Sequence, residues 1–115
     1  MAEEQQKAVI YYKRDDGSSP FGDWMASIED DNITRLIYER LKRLKDGHYG
    51  THRNLKGGIL ELKFNNGLRI YGAKLGLTII IILCAGGKNT KKEQDRDIER
   101  AREYLRKAIE QLNKR

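Results

Sequence analysis

Between Ile59 and Tyr71 the sequence reads ILELKFNNGLRIY, two alternating segments joined by a turn, and it leaves the chain little choice of pairing. Leu60, Leu62 and Phe64 fall on one face of an extended strand and Ile59, Glu61 and Lys63 on the other, because successive strand side chains point in opposite directions. Asn65, Asn66 and Gly67 turn the chain. A three-residue loop with Gly67 in the left-handed conformation sets Phe64 against Leu68, Leu62 against Ile70, Lys63 against Arg69 and Glu61 against Tyr71. A two-residue turn at Asn66-Gly67 would slip the pairing by one position and set Phe64 against Arg69, mixing the faces. The three-residue register is therefore expected.

The flanking sequence supplies elements to cover such a hairpin. Ala8 to Lys13 is β-branched and aromatic and ends in the turn-forming run DDGSSP, which predicts a first strand. Pro20 suits the first position of a short helix carrying Phe21, Trp24, Met25 and Ile28 at three- and four-residue spacing. Asn32 is expected to cap a second helix with the stripe Ile33, Leu36, Ile37, Leu41 and Leu44, closed by Gly47. Residues 47 to 58 (GHYGTHRNLKGG) read as an exposed basic connection that could end in a short strand. Leu77 to Cys84 is a continuous apolar run, as a central strand covered on both faces requires. A long last helix follows, with Ile98, Ala101, Leu105, Ala108, Ile109 and Leu112 on one side. The expectation is a single α+β domain over residues 1–115. An N-terminal strand and a helical hairpin pack on a twisted, mainly antiparallel sheet of about four strands, followed by a C-terminal helix.

Composition narrows the function. Lys and Arg outnumber Asp and Glu by 23 to 17, a formal charge of +6, which favours a polyanion or an acidic protein as partner but also suits a merely solvated surface. Cys84 is the one cysteine, which excludes a disulfide framework and a cysteine-based zinc site and suits a reducing cytoplasm. The polar start from Met1 to Lys7 lacks the apolar core of a signal peptide, and the run from Leu77 to Gly86 is too short to span a bilayer. No membrane association is expected.

The polar face of the hairpin is the most informative constellation. Lys63 directly opposite Arg69 is a like-charge pair that costs about 0.2–1 kcal/mol and asks for a compensating anion. A phosphate would serve, or Glu61 could bridge both cations on an ordinary solvated face. Lys88 follows two glycines in AGGKNT at the end of the central strand, without the spacing of a phosphate-binding P-loop. His48, His52, Arg53 and Lys56 form a third basic group, and two histidines without neighbouring ligands make no metal site. There is no nucleophilic triad, no glycosidase-type carboxylate pair and no dinucleotide fingerprint. Such an inventory serves electrostatic chemistry. Cleavage of RNA by its own 2′-hydroxyl needs in-line geometry, a base, an acid and cations for the phosphorane charge, with neither metal nor protein nucleophile.

The blocks PFGDWMASIEDD (20–31), RLKRLKDGHYG (40–50), GGILELKFNNGLRIYG (57–72), ILCAGGKNT (82–90) and DRDIERAREY (95–104), in this order, resemble the addiction-module killer (HigB-like) branch of the RelE/ParE superfamily of type II toxins. The resemblance implies a RelE-like fold and an mRNA-cleaving endoribonuclease, acting at the ribosome in the cytoplasm and blocking translation. It also implies a cognate antitoxin that commonly carries a helix-turn-helix domain. By position, Arg69 matches the arginine of the family's Y-R-x-Y strand and Tyr71 its second tyrosine. Lys63 takes the place of a basic strand residue, Lys88 that of the basic residue after the glycines, and Gln94 that of the polar residue opening the last helix. The hairpin is shorter than is common in the family, with Leu68 where an aromatic usually stands, and the segment from Lys88 to the last helix is longer.

These readings combine into one expectation. Arg69, Lys88 and Lys63 are expected to act on the scissile phosphate, and Arg53, Lys56, His52, Tyr71 and Gln94 to hold RNA, without cofactor or metal. Lys63, Lys88 and His52 are open choices for the general base. The rival expectations are a ParE-like inhibitor of gyrase with no catalysis, and a basic nucleic-acid-binding module.

Overall fold

A computed structural model describes residues 6–87 and 90–114. The elements run β1 (Ala8–Tyr11), α1 (Pro20–Ala26), α2 (Asp31–Lys45), β2 (His52–Leu55), β3 (Ile59–Lys63), β4 (Arg69–Leu75), β5 (Ile79–Gly86) and α3 (Lys91–Asn113). The sheet has five strands in the order β1-β5-β4-β3-β2, one more than the four expected. The addition is β2, which forms in the basic connection by pairing antiparallel with β3, His52 opposite Leu62 and Arg53 opposite Glu61. It is the short strand that the connection over residues 47–58 was expected to allow, and its polar sequence did not fix its bounds. β1 lies at the other edge, the one parallel neighbour in the sheet, alongside β5 with Val9 opposite Ile80 and Tyr11 opposite Ile82.

The β3–β4 hairpin adopts the three-residue register, with Leu62 opposite Ile70, Lys63 opposite Arg69 and Glu61 opposite Tyr71. The Phe64 N–H donates to the Leu68 carbonyl at 3.0 Å, and Gly67 takes φ 91°. Where β4 meets β5, the register shifts after Tyr71 opposite Cys84, so that Gly72 faces Ile82. The shift turns both Leu83 and Cys84 toward α3, a bulge that bends the strand. Gly72 is needed there: a Cβ at this position would stand 2.6 Å from the Ile81 carbonyl oxygen.

Helices cover both faces of the sheet. α1 and α2 bury Phe21, Met25, Ile37, Leu41 and Leu44 against Leu60, Leu62, Ile70, Ile80 and Ile82. α3 buries Ala101, Leu105 and Ala108 against Ile59, Tyr71, Ala73, Ile81 and Leu83 on the other side. β5 is thus covered on both faces, as its apolar run requires. Leu77, expected inside this strand, lies before it in the turn from β4 and is 78% exposed.

Local chemistry sets the helix ends. Ser19 caps α1 by accepting from the Gly22 N–H at 2.9 Å, with Pro20 at the first helical position. Asp30, not the expected Asn32, caps α2, accepting from the Asn32 N–H at 2.8 Å. α2 ends with the Gly47 N–H donating to Leu44 O and the His48 N–H to Arg43 O, both at 3.0 Å, and with Gly47 at φ 88°. That is the paired termination a left-handed glycine permits. Thr90 and Glu93 form a reciprocal capping box at the start of α3, and the spacing Thr-x-x-Glu was the available signal for it.

Candidate functional site

The last helix turns the polar face of the hairpin into a partly enclosed site. Glu61 opens toward α3 and is fully buried. Arg53, directly opposite on β2, donates from Nε to Glu61 Oε1 at 2.7 Å, and Arg69 Nε stands 3.9 Å from Oε2. Gln94, in the first turns of α3, reaches the same oxygen with its amide at 3.4 Å. Glu61 therefore links the two cations, and Lys63 stands directly opposite Arg69 in the next row. Two arginines meet this one carboxylate and Lys63 adds a third cation one row along, so the face keeps a positive excess.

Two buried polar side-chain atoms among the described residues make no hydrogen bond, Arg69 Nε, which has only the longer ion pair to Glu61, and the Tyr71 hydroxyl. Both belong to this cluster. Unpaired buried polar atoms are uncommon in folded proteins and need a reason. Burial, followed by the nearby charge of Glu61, raises the Tyr71 pKa far above that of a free phenol, so the hydroxyl keeps its proton. Burial also pushes up Glu61, but the hydrogen bond and charge of Arg53, the Gln94 amide and the charge of Arg69 outweigh it, and the net shift is downward. Glu61 is thus held ionised and occupied by donors. It orients arginines and suits the role of a base poorly.

Cys84, paired with Tyr71 across the sheet, is closed off beneath α3 with its thiol 3.8 Å from the Asp97 carbonyl. Burial and the Asp97 charge push its pKa up to about 12, which makes it an inert packing residue.

The expected site residues divide into three sets. Arg53, Lys63, Arg69, Tyr71 and Gln94 come together on the α3 face. Tyr71, however, is 0% exposed, so its expected role as a direct RNA contact is corrected to a buried one beneath the arginines. His52 goes elsewhere. Opposite Leu62, it belongs to the α1–α2 face, where its ring lies 5.2 Å from that of Tyr49 and its Nδ1 is 2.7 Å from Gly50 O. It immediately precedes Arg53 on the strand, and the pleat sends the two to opposite sides. It is therefore not placed to exchange a proton at Arg69. Lys56 sits exposed in the turn after β2, where its carbonyl accepts from Arg102 Nε at 3.1 Å. Lys88 lies outside the described residues; Gly86, which ends β5, pairs directly with Arg69.

Sequence reasoning passed over Arg40. Buried on α2, it donates to the carbonyls of Tyr49, Thr51 and Lys63 and lies over the Phe64 ring at 4.8 Å. It ties the loop before β2 to the end of β3, and so holds the row that carries Lys63. Its place among charged neighbours in RLKRLK gave no sign of burial.

No protein-family model matches the chain. It is 32% identical over 84 residues to an uncharacterized protein of Haemophilus influenzae, a match covering 71% of this chain and 82% of the relative. The chain belongs to that protein's family. The relative's name assigns no activity, so the reading of the site rests on the residues themselves. Among the described residues no group of histidine, cysteine and carboxylate side chains could hold a metal ion, and no helix is long and apolar enough to cross a membrane.

Proposed function

We propose that this protein is a metal-independent endoribonuclease of the RelE/ParE type, the toxin of a toxin–antitoxin pair. The reading is carried by one observation: Arg53 and Arg69 meet at a single buried carboxylate, with Lys63 directly opposite Arg69 in the sheet, and two buried polar atoms there, Arg69 Nε and the Tyr71 hydroxyl, make no hydrogen bond. Its further support is the net charge of +6 and the resemblance of the sequence blocks to that superfamily.

In this mechanism the RNA 2′-hydroxyl gives its proton to a lysine base, Lys63 or Lys88, as its oxygen attacks the adjacent phosphorus; the bond to the in-line 5′-oxygen breaks, that oxygen takes up a proton, and a 2′,3′-cyclic phosphate is left. Arg69 and Lys63 stabilise the charge that builds on the non-bridging oxygens, where fixed cations in a partly dry site act most strongly. Lys88 joins them on the strength of the sequence resemblance. Arg53 and Lys56 hold the flanking backbone. Glu61, itself held by the Gln94 amide, fixes the guanidinium groups before substrate arrives, so less reorganisation is left for the transition state. Tyr71, protonated and buried, lies under Arg69 as a neutral donor. The proposed partners are translated mRNA at the ribosome and a cognate antitoxin with a helix-turn-helix domain.

Brief induction in growing cells, followed by mapping of mRNA 5′ ends, tests the reading. Discrete new ends inside translated messages are expected, and Arg69→Ala combined with Lys88→Ala should remove both the cuts and the growth arrest while the protein still folds, with a lowered thermal midpoint because Glu61 loses one of its cations. A fully active double variant, or gyrase-dependent DNA damage with intact mRNA, would overturn it.

A further inference from the structure

A second group of cations lies apart from Glu61, where α2 meets the end of the β3–β4 hairpin. The Arg40 side chain is 8% exposed there and donates to backbone oxygens alone: to Tyr49 O from Nε and Nη2 at 3.3 and 3.0 Å, to Thr51 O at 2.6 Å and to Lys63 O at 2.9 Å. These carbonyls satisfy its donors but leave its charge uncompensated. Buried charges are normally paired with an opposite charge, and Arg14, Arg53, Arg69, Arg100, Arg102 and Arg106 all stand within ion-pair distance of a carboxylate. Among the described residues Arg40 has no such partner. Burial, and then the like charge of Arg43 one turn along α2, lower its pKa, yet an arginine stays charged at neutral pH.

A cavity of about 310 Å³ opens beside this pair. Arg40 and Arg43 line it with Leu36 and Phe64, together with Thr51, Asn65 and Asn66, and no acidic side chain does. Lys63 borders it too, but the pleat directs its side chain to the α3 face. The Arg43 guanidinium makes no hydrogen bond or ion pair among the described residues; Glu39 and Asp46 share a neighbouring groove with it and stand beyond ion-pair distance. Leu36 is largely exposed, and Phe64 is covered by the Arg40 guanidinium at 4.8 Å. The Asn66 side-chain oxygen accepts from the Leu68 N–H at 3.1 Å, which leaves its amide nitrogen to donate. Uncompensated positive charge, apolar surface and amide donors therefore meet in one cavity.

We infer that this cavity binds a single nucleotide, with its phosphate on Arg40 and Arg43 and its base against Leu36 and Phe64. Guanidinium groups match phosphate oxygens in charge and in donor geometry. Arg40 is held in place by its carbonyl partners before any ligand arrives, so little side-chain freedom is lost on binding. A bare inorganic anion would leave Leu36 and Phe64 unused, and a purely apolar ligand would leave the charge unanswered. A volume of about 310 Å³ lies at the small end of ligand sites, about 300–1,000 Å³, and admits one nucleotide. The nucleotide comes free or as one unit of a single strand, and the contacts are the same. This inference is independent of the ribonuclease reading, because Phe64 belongs to the α1–α2 face and Glu61 to the other.

Titration of the full chain with adenosine 5′-monophosphate, followed by magnetic resonance, tests it. The resonances of Arg40 Nε and of the Asn65 and Asn66 amides should shift together and saturate. Arg40 ties the loop before β2 to β3 and its loss would disturb the fold, so exposed Arg43 is the residue to change. Arg43→Ala should weaken the binding read at Asn65 and Asn66 by about fivefold or more, whereas Arg53→Ala, on the other face, should leave it unchanged. Adenosine and inorganic phosphate, each carrying half of the ligand, should both bind more weakly than the monophosphate. A single-stranded oligonucleotide should shift the same resonances, and whichever of strand and monophosphate binds the more tightly identifies the source. No shift at Asn65 and Asn66 with either at millimolar concentration overturns the inference. So does full affinity in Arg43→Ala, or equal binding of adenosine or of an acidic dipeptide.

Discussion

Glu61 is a charged side chain with no exposure, set between Arg53 and Arg69. Its pKa is depressed on folding. Its contribution to stability is therefore complete above the unfolded carboxylate value, about 4.3, and disappears as pH falls through the lower folded value. Glu61→Gln should cost about 1–3 kcal/mol at neutral pH, since two guanidinium groups lose their charged acceptor. Urea unfolding measured against pH checks this: the gap between wild type and variant should close below about pH 4, and a gap that stayed constant would refute it. Tyr71 makes the opposite case. Its hydroxyl is buried without a partner, so Tyr71→Phe removes an unsatisfied group and should raise stability by about 1 kcal/mol or leave it unchanged. A loss of several-fold in RNA cleavage alongside that neutral effect would tie the phenol to the chemistry, whereas a destabilised variant would show that the hydroxyl has a partner in solution.

At the scale of elements, the hairpin from Ile59 to Tyr71 was legible because alternation and a glycine turn together allow one register with unmixed faces. The apolar run of β5 and the stripe of α2 were legible for the same reason, since burial of a face imposes a period. β2 was legible only as an open possibility within residues 47–58, because His52, Arg53 and Asn54 bury little and form a strand only by borrowing the exposed edge of β3. The bulge between β4 and β5 was also hidden. It depends on Gly72 meeting the Ile81 carbonyl, a contact between distant parts of the chain. Gly72→Ala should accordingly lower stability by about 1–3 kcal/mol through overpacking against backbone. Thermal and urea unfolding measure it directly, and a wild-type value would mean that β5 can slip to relieve the contact.

The whole molecule is a basic domain whose cations divide between two faces of one sheet, and this division decides which of them can act together. If the α3 face binds RNA, the salt dependence of affinity for a single-stranded oligonucleotide should report it. Removing one phosphate contact reduces the slope by about 0.7. Arg53→Ala should produce that change, while Lys107→Ala, beside the separate groove at Tyr12, Arg14 and Tyr104, should not; equal shifts from both would mean diffuse binding. The amino-acid sequence by itself determined the hairpin register, the apolar strand, the helices and the sign of the charge, because periodicity and composition act over a few neighbouring residues. Only the tertiary structure decided that α3 lies across the polar face of the hairpin. That placement buries Glu61 and Tyr71, joins Arg53 to Arg69 and leaves His52 on the far side. Burial and pairing between segments depend on how far-separated stretches pack, and no local pattern encodes them.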